Sequence, residues 1–524
     1  MSAFTGSAVK RLEDPALVTG RGRFVDDIHV PGVLHAAFVR APYAHAMVRG
    51  VDAAAARALH GVHAVYVLAD LPPLLRERPI PLLVPNAAIA DAKLPFALVR
   101  DEVCFVGEPL AVVLAHSRHV AEDAAELVIV DYEPLPVAAD VRDAFADGAP
   151  SAHADRTHNR ATHMTLGFGN VHAAFAAAAH VVAGEFFQHR GSAHAMECRA
   201  LLAQYDATGE NVTIWAGTQS PHQYRDAYAQ AMGLGQHQVR VIAPDVGGGF
   251  GPKAVLYPEQ FAIPACALLT GRAVKWIEDR REHFLTTYQE RDQYWRGELA
   301  ISADGRLLGL RGHLLHDAGA YLPWGVVVPQ HGVTLAELAR FASGVPGFAM
   351  PRGLGAGLED TTYFTPERAS YPNGCHVAEV EVDVETGQVP LLNYVAGHDC
   401  GTIINPMSVE GQVQGGVAHG IGNALFEWMR YDDNAQPLTM NFGEYLLPTA
   451  PEVPTVQQVN LECPSPLNPL GVKGAGEGGT IPAAAVIAAA IENALEPFGV
   501  HVDRAPITPD WLLERIDTAR GEHC

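Results

Sequence analysis

Several kinds of segment are missing from this 524-residue sequence, and each absence argues against one class of protein. No stretch of about 20 apolar residues is free of charge, so we expect no membrane-spanning helix. No basic run occurs and the net charge is −23, which argues against a nucleic acid as the partner, because phosphate binding needs clustered Lys and Arg. The first residues lack a basic segment followed by an apolar stretch, so we expect no secretory signal and a cytoplasmic protein.

The seven cysteines include no Cys-x-x-Cys pair. Iron–sulfur clusters need closely spaced thiolates, so we expect this chain to hold no cluster of its own. We interpret the cysteines as reduced and mostly buried thiols. His153, His158 and His163 recur every five residues, which is not one helical face, and no acidic ligand pattern joins them. A surface loop explains them, and we predict no metal ligated by the protein.

What is present indicates a globular protein of several domains. Hydrophobic residues make up 48% and charged residues 18%, and the length suggests three or four domains. The abundant glycine and proline favour many turns over a helical bundle. Residues 20–137 alternate strand-like and helix-like patterns, with a buried strand at 109–115 and a helix at 121–127. We interpret them as a compact α+β domain, followed by a linker at 138–170.

Two later segments share one pattern, a β-hairpin that ends in His-Asp-x-Gly. The first hairpin spans residues 298–315 around Asp304-Gly305 and runs into His316-Asp317-Ala318-Gly319. The second spans 376–395 and runs into His398-Asp399-Cys400-Gly401. The repeat suggests two related halves, although two ordinary hairpins with chance endings explain it equally well.

A first glycine cluster occupies residues 247–251. A strand-like stretch at 239–243 precedes it and a helix-like stretch at 258–269 follows, which places free backbone N–H groups where an anion can approach. It is not a Walker A loop, because Pro252 separates Gly251 from Lys253. A structural turn accounts for the cluster equally well.

A second glycine cluster occupies residues 471–479 and contains Glu477. Residues 474–479 match G-x-G-x-x-G, but a Pro/Asn-rich loop precedes them where a dinucleotide fingerprint needs a strand. We expect Glu477 to be partly enclosed, just before a helix at 482–495, where a carboxylate can act as a general base. An acid favoured by the helix dipole is the simpler explanation on spacing alone.

Two further segments carry polar side chains at the edges of predicted elements. Residues 217–222, Gly-Thr-Gln-Ser-Pro-His, place Gln219 at a strand end before a turn. Residues 411–422 begin a helix of small residues that contains His419. Packing explains either pattern.

Taken in order, these motifs resemble those of the molybdopterin-binding large subunit of the xanthine dehydrogenase/aldehyde oxidase/carbon monoxide dehydrogenase family. Counterparts extend from about residue 10 to residue 515. The segments that carry the resemblance are 20–27, 106–109, 130–135, 217–222, 247–253, Asp399-Cys400-Gly401, Asn405-Pro406 and 471–479.

The resemblance implies an α+β fold in four parts. An a/b hammerhead domain would span residues 1–137, and a linker would follow at 138–170. A truncated molybdopterin-binding region of two related α+β halves would occupy 171–331 and 332–524.

The implied activity is that of an oxidoreductase, a molybdenum hydroxylase that oxidises an aldehyde, an N-heterocycle or a similar small molecule with water as the oxygen source. Glu477 would be the catalytic base, and Gln219 would lie against a molybdenum oxo ligand. His419 stands where many relatives carry glutamine. The implied cofactor-binding residues are Gln219, Gly248, Gly249, Phe250, Gly251, His419 and Gly476.

The resemblance also implies cofactors and partners. The pterin dithiolene ligates the metal, so no protein side chain need do so, and the cytosine dinucleotide form of the cofactor is expected. A small subunit with [2Fe-2S] clusters and a medium subunit with FAD would carry electrons away.

The sequence departs from the family near residues 324–334. From residue 332 onward it matches a much later part of the family, so the arginine-bearing Gly-Ala-Gly-Arg-type loop, the Gly-Gln-Gly-His-type loop and a Gly-Ser loop are missing. The loop that separates family branches is lost with them, which leaves the substrate open. Both flanking portions should expose apolar faces. The alternatives are therefore a catalytically impaired or inactive scaffold subunit, or a remnant that folds poorly.

Overall fold

The computed structural model describes residues 4–82, 89, 93–165, 167–322 and 370–521. The helices are α1 Asp14–Leu17, α2 Ala54–Ala58, α3 Pro73–Glu77, α4 Arg118–Glu126, α5 Val141–Ala144, α6 Val171–Ala176, α7 Pro221–Met232, α8 Pro258–Thr270, α9 Arg280–Thr286, α10 Pro406–Leu425, α11 Ala483–Ala494 and α12 Pro509–Arg520. The strands are β1 Leu34–Arg40, β2 Ala46–Asp52, β3 Val62–Val67, β4 Glu102–Val103, β5 Pro109–Ala115, β6 Ile129–Pro134, β7 His180–Gly191, β8 Ala200–Asp206, β9 Asn211–Ala216, β10 Val239–Ile242, β11 Val274–Ile277, β12 Glu290–Ile301, β13 Leu307–His316, β14 Asn373–Val380, β15 Leu391–Asp399, β16 Val456–Asn460 and β17 Arg504–Ala505.

The first core surrounds a seven-stranded sheet in the order β10-β9-β8-β11-β1-β5-β3. β5 is buried along its whole length, as its uninterrupted apolar sequence predicts. β1 pairs in parallel with β11, Leu34 with Val274. The sheet therefore continues from the predicted hammerhead region into the region that follows, a continuity that no local sequence pattern indicates.

Both predicted hairpins are present, as β12–β13 and β14–β15. Each second strand leads into the same turn, because Asp317 accepts a hydrogen bond from the N–H of Gly319 at 2.7 Å and Asp399 accepts one from Gly401 at 2.9 Å. Each aspartate also pairs with a cation, Asp317 with Arg190 and Asp399 with Lys473. This shared geometry favours related halves over chance endings.

A second core lies between α10, α11, α12 and the three-stranded sheet β14-β15-β16. Its two central helices approach closely because glycines line the contact. A Cβ on Gly420 would lie 2.3 Å from the Cβ of Ala483, and one on Gly479 would lie 2.4 Å from the carbonyl oxygen of Val413. The small-residue pattern of α10 therefore serves helix packing.

Several contacts join the two halves, and three of them show how they pack. β17 pairs in parallel with β7. The Tyr445 hydroxyl donates to the carbonyl oxygen of Ser192 at 2.6 Å. Arg291 on β12 donates to the Asn423 side chain on α10 at 2.7 Å. The second half is thus packed against the first and is not a detached domain.

Both halves carry exposed apolar side chains on their sheets, as expected from the missing middle of the sequence. The cross-strand neighbours Val182, Leu299 and Leu310 share one face of β7–β12–β13, and Phe186 and Trp295 form the adjacent pair on that face. All five are exposed, Leu310 by 66%. The sequence break at 324–334 lies outside the described residues.

Candidate functional site

Gln219 and the first glycine cluster lie together. β9 and β10 are parallel neighbours, so the loops that leave their carboxyl ends emerge at one edge of the sheet. The amide oxygen of Gln219 accepts the N–H of Gly251 at 3.0 Å. Gly249 passes over the Gln219 side chain so closely that a Cβ would lie 2.5 Å from its Cδ. The close approach requires glycine at 249.

The loop backbone is sharply bent at three successive positions with positive φ or unpaired amides. Gly248 and Gly251 have φ angles of 97° and 103°, and Phe250 has a φ of 55° in the left-handed region. The N–H groups of Gly248, Gly249 and Phe250 donate no hydrogen bond to any described residue. Successive unpaired N–H groups in a bent loop form a concave site suited to an anion.

A buried ion pair beneath the loop holds this shape. The Glu197 carboxylate accepts the N–H of Gly247 at 2.8 Å and the ammonium of Lys253 at 2.7 Å. The Lys253 side chain is 1% exposed, so the charge has no access to water. The sequence motif contained Lys253 without a role for it, and Glu197 was missed. A lysine that follows a glycine loop and is buried requires a carboxylate partner, and Lys253 is the sequence signal for one.

The second glycine cluster lies beside the carboxyl ends of β15 and β16, which are again parallel neighbours. Lys473 donates to Asp399 at 2.6 Å and anchors the start of the loop. The Gln412 side chain on α10 donates to the carbonyl oxygen of Gly476 at 2.7 Å. The two halves therefore place their glycine loops in equivalent positions, each beyond a pair of parallel strands.

Glu477 is exposed, which corrects the expectation of a partly enclosed carboxylate. Its carbonyl oxygen accepts the N–H groups of Thr480 and Ile481, which forms the turn before α11. Its side chain makes no hydrogen bond to a described residue, and a Cβ built on Gly474 or Gly476 would meet nothing within 4 Å. Glycines on both sides leave nothing to cover the carboxylate.

His419 lies on the same face of α10 as Gln412, because seven residues correspond to about two helical turns, or about 10 Å along the axis. Burial lowers the pKa of His419. The facing carboxyl group of Glu427 has its pKa raised to about 7, chiefly by burial. Their closest atoms are 4.0 Å apart, too far for a hydrogen bond. His419 is therefore a mainly uncharged histidine near neutral pH.

The predicted site residues thus form two groups. Gln219 and residues 248–251 make one, and Gly476, Glu477 and the Gln412–His419 face of α10 make the other. No hydrogen bond within the described parts of the chain joins them. Residues 191–197 touch both halves, since Ser192 contacts Tyr445 and Glu197 holds the first loop.

A cavity of about 610 Å³ lies elsewhere, and none of the predicted site residues lines it. Its walls come from the hammerhead residues Cys104 and Phe105, from the predicted linker, and from residues 285–293 and 316–322. The predicted cofactor loops instead lie at the surface.

The expectation of mostly buried cysteines was wrong, and the surface-loop interpretation was wrong for His153, although His158 and His163 are exposed and lie outside helices and strands. Of the six described cysteines only Cys266 and Cys400 are buried, so the thiols are not mostly buried. His153 is 7% exposed and does not lie in a surface loop. Its ring nitrogens contact Cys104 and the carbonyl oxygen of Ala320, partners distant in the sequence that no local pattern reveals.

Three family models match the chain. The molybdopterin cofactor-binding domain matches residues 152–339 and, in a second model, 303–454. The a/b hammerhead domain of aldehyde oxidase and xanthine dehydrogenase matches residues 19–136. 

The chain belongs to the xanthine dehydrogenase/aldehyde oxidase/carbon monoxide dehydrogenase family of molybdopterin-binding large subunits.

The chain is similar to the nicotine 6-hydroxylase large subunit of Paenarthrobacter nicotinovorans, with 26% identity over 769 residues, 97% of this chain and 94% of that protein. It is 38% identical over 330 residues to the carbon monoxide dehydrogenase large chain of Afipia carboxidovorans, 60% of this chain and 40% of that protein. The crystal structure of quinoline 2-oxidoreductase from Pseudomonas putida 86 matches with a TM-score of 0.87 at 26% identity, covering 99% of this chain and 98% of that one.

The alignment with the nicotine 6-hydroxylase subunit spans 769 positions, whereas this chain has 524 residues, so at least 245 positions of the alignment are gaps in this chain. This difference in length fits the predicted loss of a central segment. In the described part of the chain no helix is both long and apolar enough to cross a membrane.

Proposed function

We propose that this chain is the cofactor-binding subunit of a molybdenum hydroxylase that oxidises a small organic molecule. The observation that carries the proposal is the three successive unpaired N–H groups of Gly248, Gly249 and Phe250, in a loop held by Gln219 and by the buried Glu197–Lys253 pair. Such a loop fits the phosphate and pterin oxygens of a molybdopterin cofactor. We propose the cytosine dinucleotide form.

The bound cofactor would supply two-electron oxidation with water as the oxygen source. The chain itself would contribute binding and proton transfer. The side-chain NH2 of Gln219 is available to donate to the cofactor, because only its amide oxygen is bonded to the loop. The Glu477 carboxylate makes no hydrogen bond to a described residue. It is therefore available to accept a proton from the attacking water. Gly476, held by Gln412, and His419 on the same helix face would adjoin the cofactor.

The substrate class is proposed from relatives. Two proteins that align along nearly the whole chain are named nicotine 6-hydroxylase and 6-hydroxypseudooxynicotine dehydrogenase subunits, and the similar crystal structure is of quinoline 2-oxidoreductase. These names favour an N-heterocycle, with an aldehyde as the second choice.

Electron transfer would require partners. We propose a small subunit with [2Fe-2S] clusters and a medium subunit with FAD, and a cytoplasmic location. Relatives are named as subunits of complexes, and the scattered cysteines of this chain fit a subunit without its own cluster.

The experiment is to purify the chain with its partner subunits, measure molybdenum and released cytosine nucleotide, and assay dye reduction with quinoline and an aldehyde. We expect close to one molybdenum per chain, and we expect Glu477→Gln to retain the metal while losing at least about a hundredfold of the rate. Glu462→Gln, a control on a neighbouring loop, should retain both. Less than roughly a tenth of a molybdenum atom per chain would refute the proposal.

One observation favours a second candidate, a scaffold subunit without a cofactor. Glu477 and Phe250 are exposed, and the cavity of about 610 Å³ is lined by neither, so no described residues enclose a cofactor between the two loops. A scaffold would co-purify with the partner subunits, contain no molybdenum and show no activity for Glu477→Gln to remove.

A further inference from the structure

Three side chains that ligate metals in other proteins meet at the edge of the cavity, which the glycine loops do not line. Glu102 lies on β4, Cys104 follows it, and His153 comes from the predicted linker. One ligand atom of each lies within 4.8 Å of the other two. The thiol of Cys104 is 3.3 Å from Nδ1 of His153. Zinc bound to a thiolate and an imidazole in tetrahedral geometry would hold these atoms about 3.5 Å apart.

The surroundings orient His153 as a ligand. Its Nε2 lies 2.7 Å from the carbonyl oxygen of Ala320, which can only accept, so Nε2 carries the proton. In the neutral ring Nδ1 is then the lone-pair nitrogen, and it points at the thiol. Metal-binding histidines commonly donate their second nitrogen to a carbonyl in this way.

Carboxyl groups surround the cluster, and the nearby cation Lys93 is paired with Asp155. Glu108 lies next to the thiol, accepting the N–H of Cys104 at 2.7 Å, and its other oxygen accepts the Tyr321 hydroxyl at 2.8 Å. Glu102 is fixed by His45 at 2.8 Å on one oxygen, and its second oxygen makes no hydrogen bond to a described residue. One carboxylate oxygen of Glu102, one thiol and one lone-pair nitrogen are therefore available to a cation.

A second group of the same residue types provides a contrast. Cys198, Glu278 and His283 also place ligand atoms within 4.8 Å. There, however, Glu278 forms a salt bridge with Arg199, whose guanidinium donates to it at 2.9 Å. Arg280 is also close to the thiol of Cys198. Two guanidinium groups repel a divalent ion, so this second group is a buried salt-bridge network and not a metal site.

We propose that Glu102, Cys104 and His153 bind a zinc ion, with water from the adjacent cavity as the fourth ligand. The ion replaces the thiol proton of Cys104, so one proton is released for each ion bound, and no oxidant or reductant is needed. Because His153 belongs to the linker and rests on Ala320, the ion ties the hammerhead region to the linker and to the end of β13.

The test is zinc titration of the purified full-length chain in competition with a fluorescent chelator. We expect one tight zinc per chain, and at least a tenfold weaker affinity in Cys104→Ser and in His153→Gln. Cys104→Ser keeps a hydroxyl that can donate to His153, so the variant should fold. Cys198→Ser, in the second group, is the matched control and should bind zinc as the unmodified chain does.

Cobalt provides a second readout that does not depend on a folded variant. Co²⁺ added to the unmodified chain should give the near-ultraviolet charge-transfer band of a thiolate ligand, and calorimetry in two buffers should show one proton released. The proposal is overturned if the chain binds no zinc tightly, if the site survives Cys104→Ser, or if it is lost in Cys198→Ser. None of these outcomes depends on the molybdenum content of the chain.

Discussion

The ion pair beneath the first glycine loop offers a sharp test of how the loop is held. Glu197→Gln removes the only carboxylate within reach of Lys253 among the described residues, while the new amide oxygen can still accept the N–H of Gly247. Lys253→Met removes the charge instead and keeps a side chain of similar length. The double variant removes both charges.

The structure predicts that the three variants lose different amounts of stability. The Lys253 side chain is 1% exposed, so Glu197→Gln leaves its ammonium buried without a charged partner. This lowers the free energy of unfolding by about 3–5 kcal/mol. Glu197 is 16% exposed and keeps Gly247 as a partner, so Lys253→Met should cost only about 1–2 kcal/mol. The double variant has no stranded charge and should be about 2 kcal/mol more stable than Glu197→Gln alone.

Urea unfolding of all three variants gives the stability order, and hydrogen exchange of a peptide covering residues 239–254 gives the local effect. A local loss of about 4 kcal/mol raises the open population about a thousandfold, so exchange in this peptide should accelerate most in Glu197→Gln. If Glu197→Gln lies within about 1 kcal/mol of the unmodified chain, or if the double variant is the least stable of the three, the pair does not hold the loop.

Two further predictions concern packing and pH. Gly420→Ala should destabilise the protein by about 1–3 kcal/mol, because the new Cβ would lie 2.3 Å from the Cβ of Ala483. Gly411→Ala on the same helix meets open space and should stabilise the protein by about 0.5–1 kcal/mol. Thermal unfolding that finds equal effects for the two variants would contradict the close contact at Gly420. Glu278→Gln should cost about 3–5 kcal/mol, against about 0–1 kcal/mol for the exposed Glu133→Gln. Burial alone would raise the pKa of Glu278, but Arg199 outweighs it and holds that pKa below its ordinary value, so the stability it adds is complete above about pH 4.5 and is lost at lower pH. The gap between the unmodified chain and Glu278→Gln should therefore narrow in acid denaturation below about pH 4, and a gap that widens there would contradict the sign.

Local patterns predicted the elements around the site well. Asp304-Gly305 indicated the β12–β13 hairpin, and the stretch from residue 239 to residue 269 was correctly interpreted as strand, glycine turn and helix. These features depend on neighbours along the chain, such as a turn that needs positive φ or a helix that follows a strand. The roles assigned to Gln219, Glu477 and His419 stay predictions.

Local sequence patterns could not predict the contacts between segments that are distant in the sequence. The parallel pairing of β1 with β11 joins residues about 240 positions apart, as Leu34 with Val274 shows. Cys104 and His153 are 49 residues apart, and Glu197 and Lys253 are 56 apart. Hydrophobic periodicity describes which face of an element is buried, but it does not say which other element buries it.

The sequence by itself determined the family, the two hairpins ending in His-Asp-x-Gly and the loss of a central segment, because motif order and turn chemistry are local properties of the chain. Only the tertiary structure decided that Glu477 is exposed, that the first glycine loop rests on a buried ion pair, and that His153 meets a thiol. Burial and charge pairing depend on the packing of segments brought together by folding, and no single stretch of sequence contains that information.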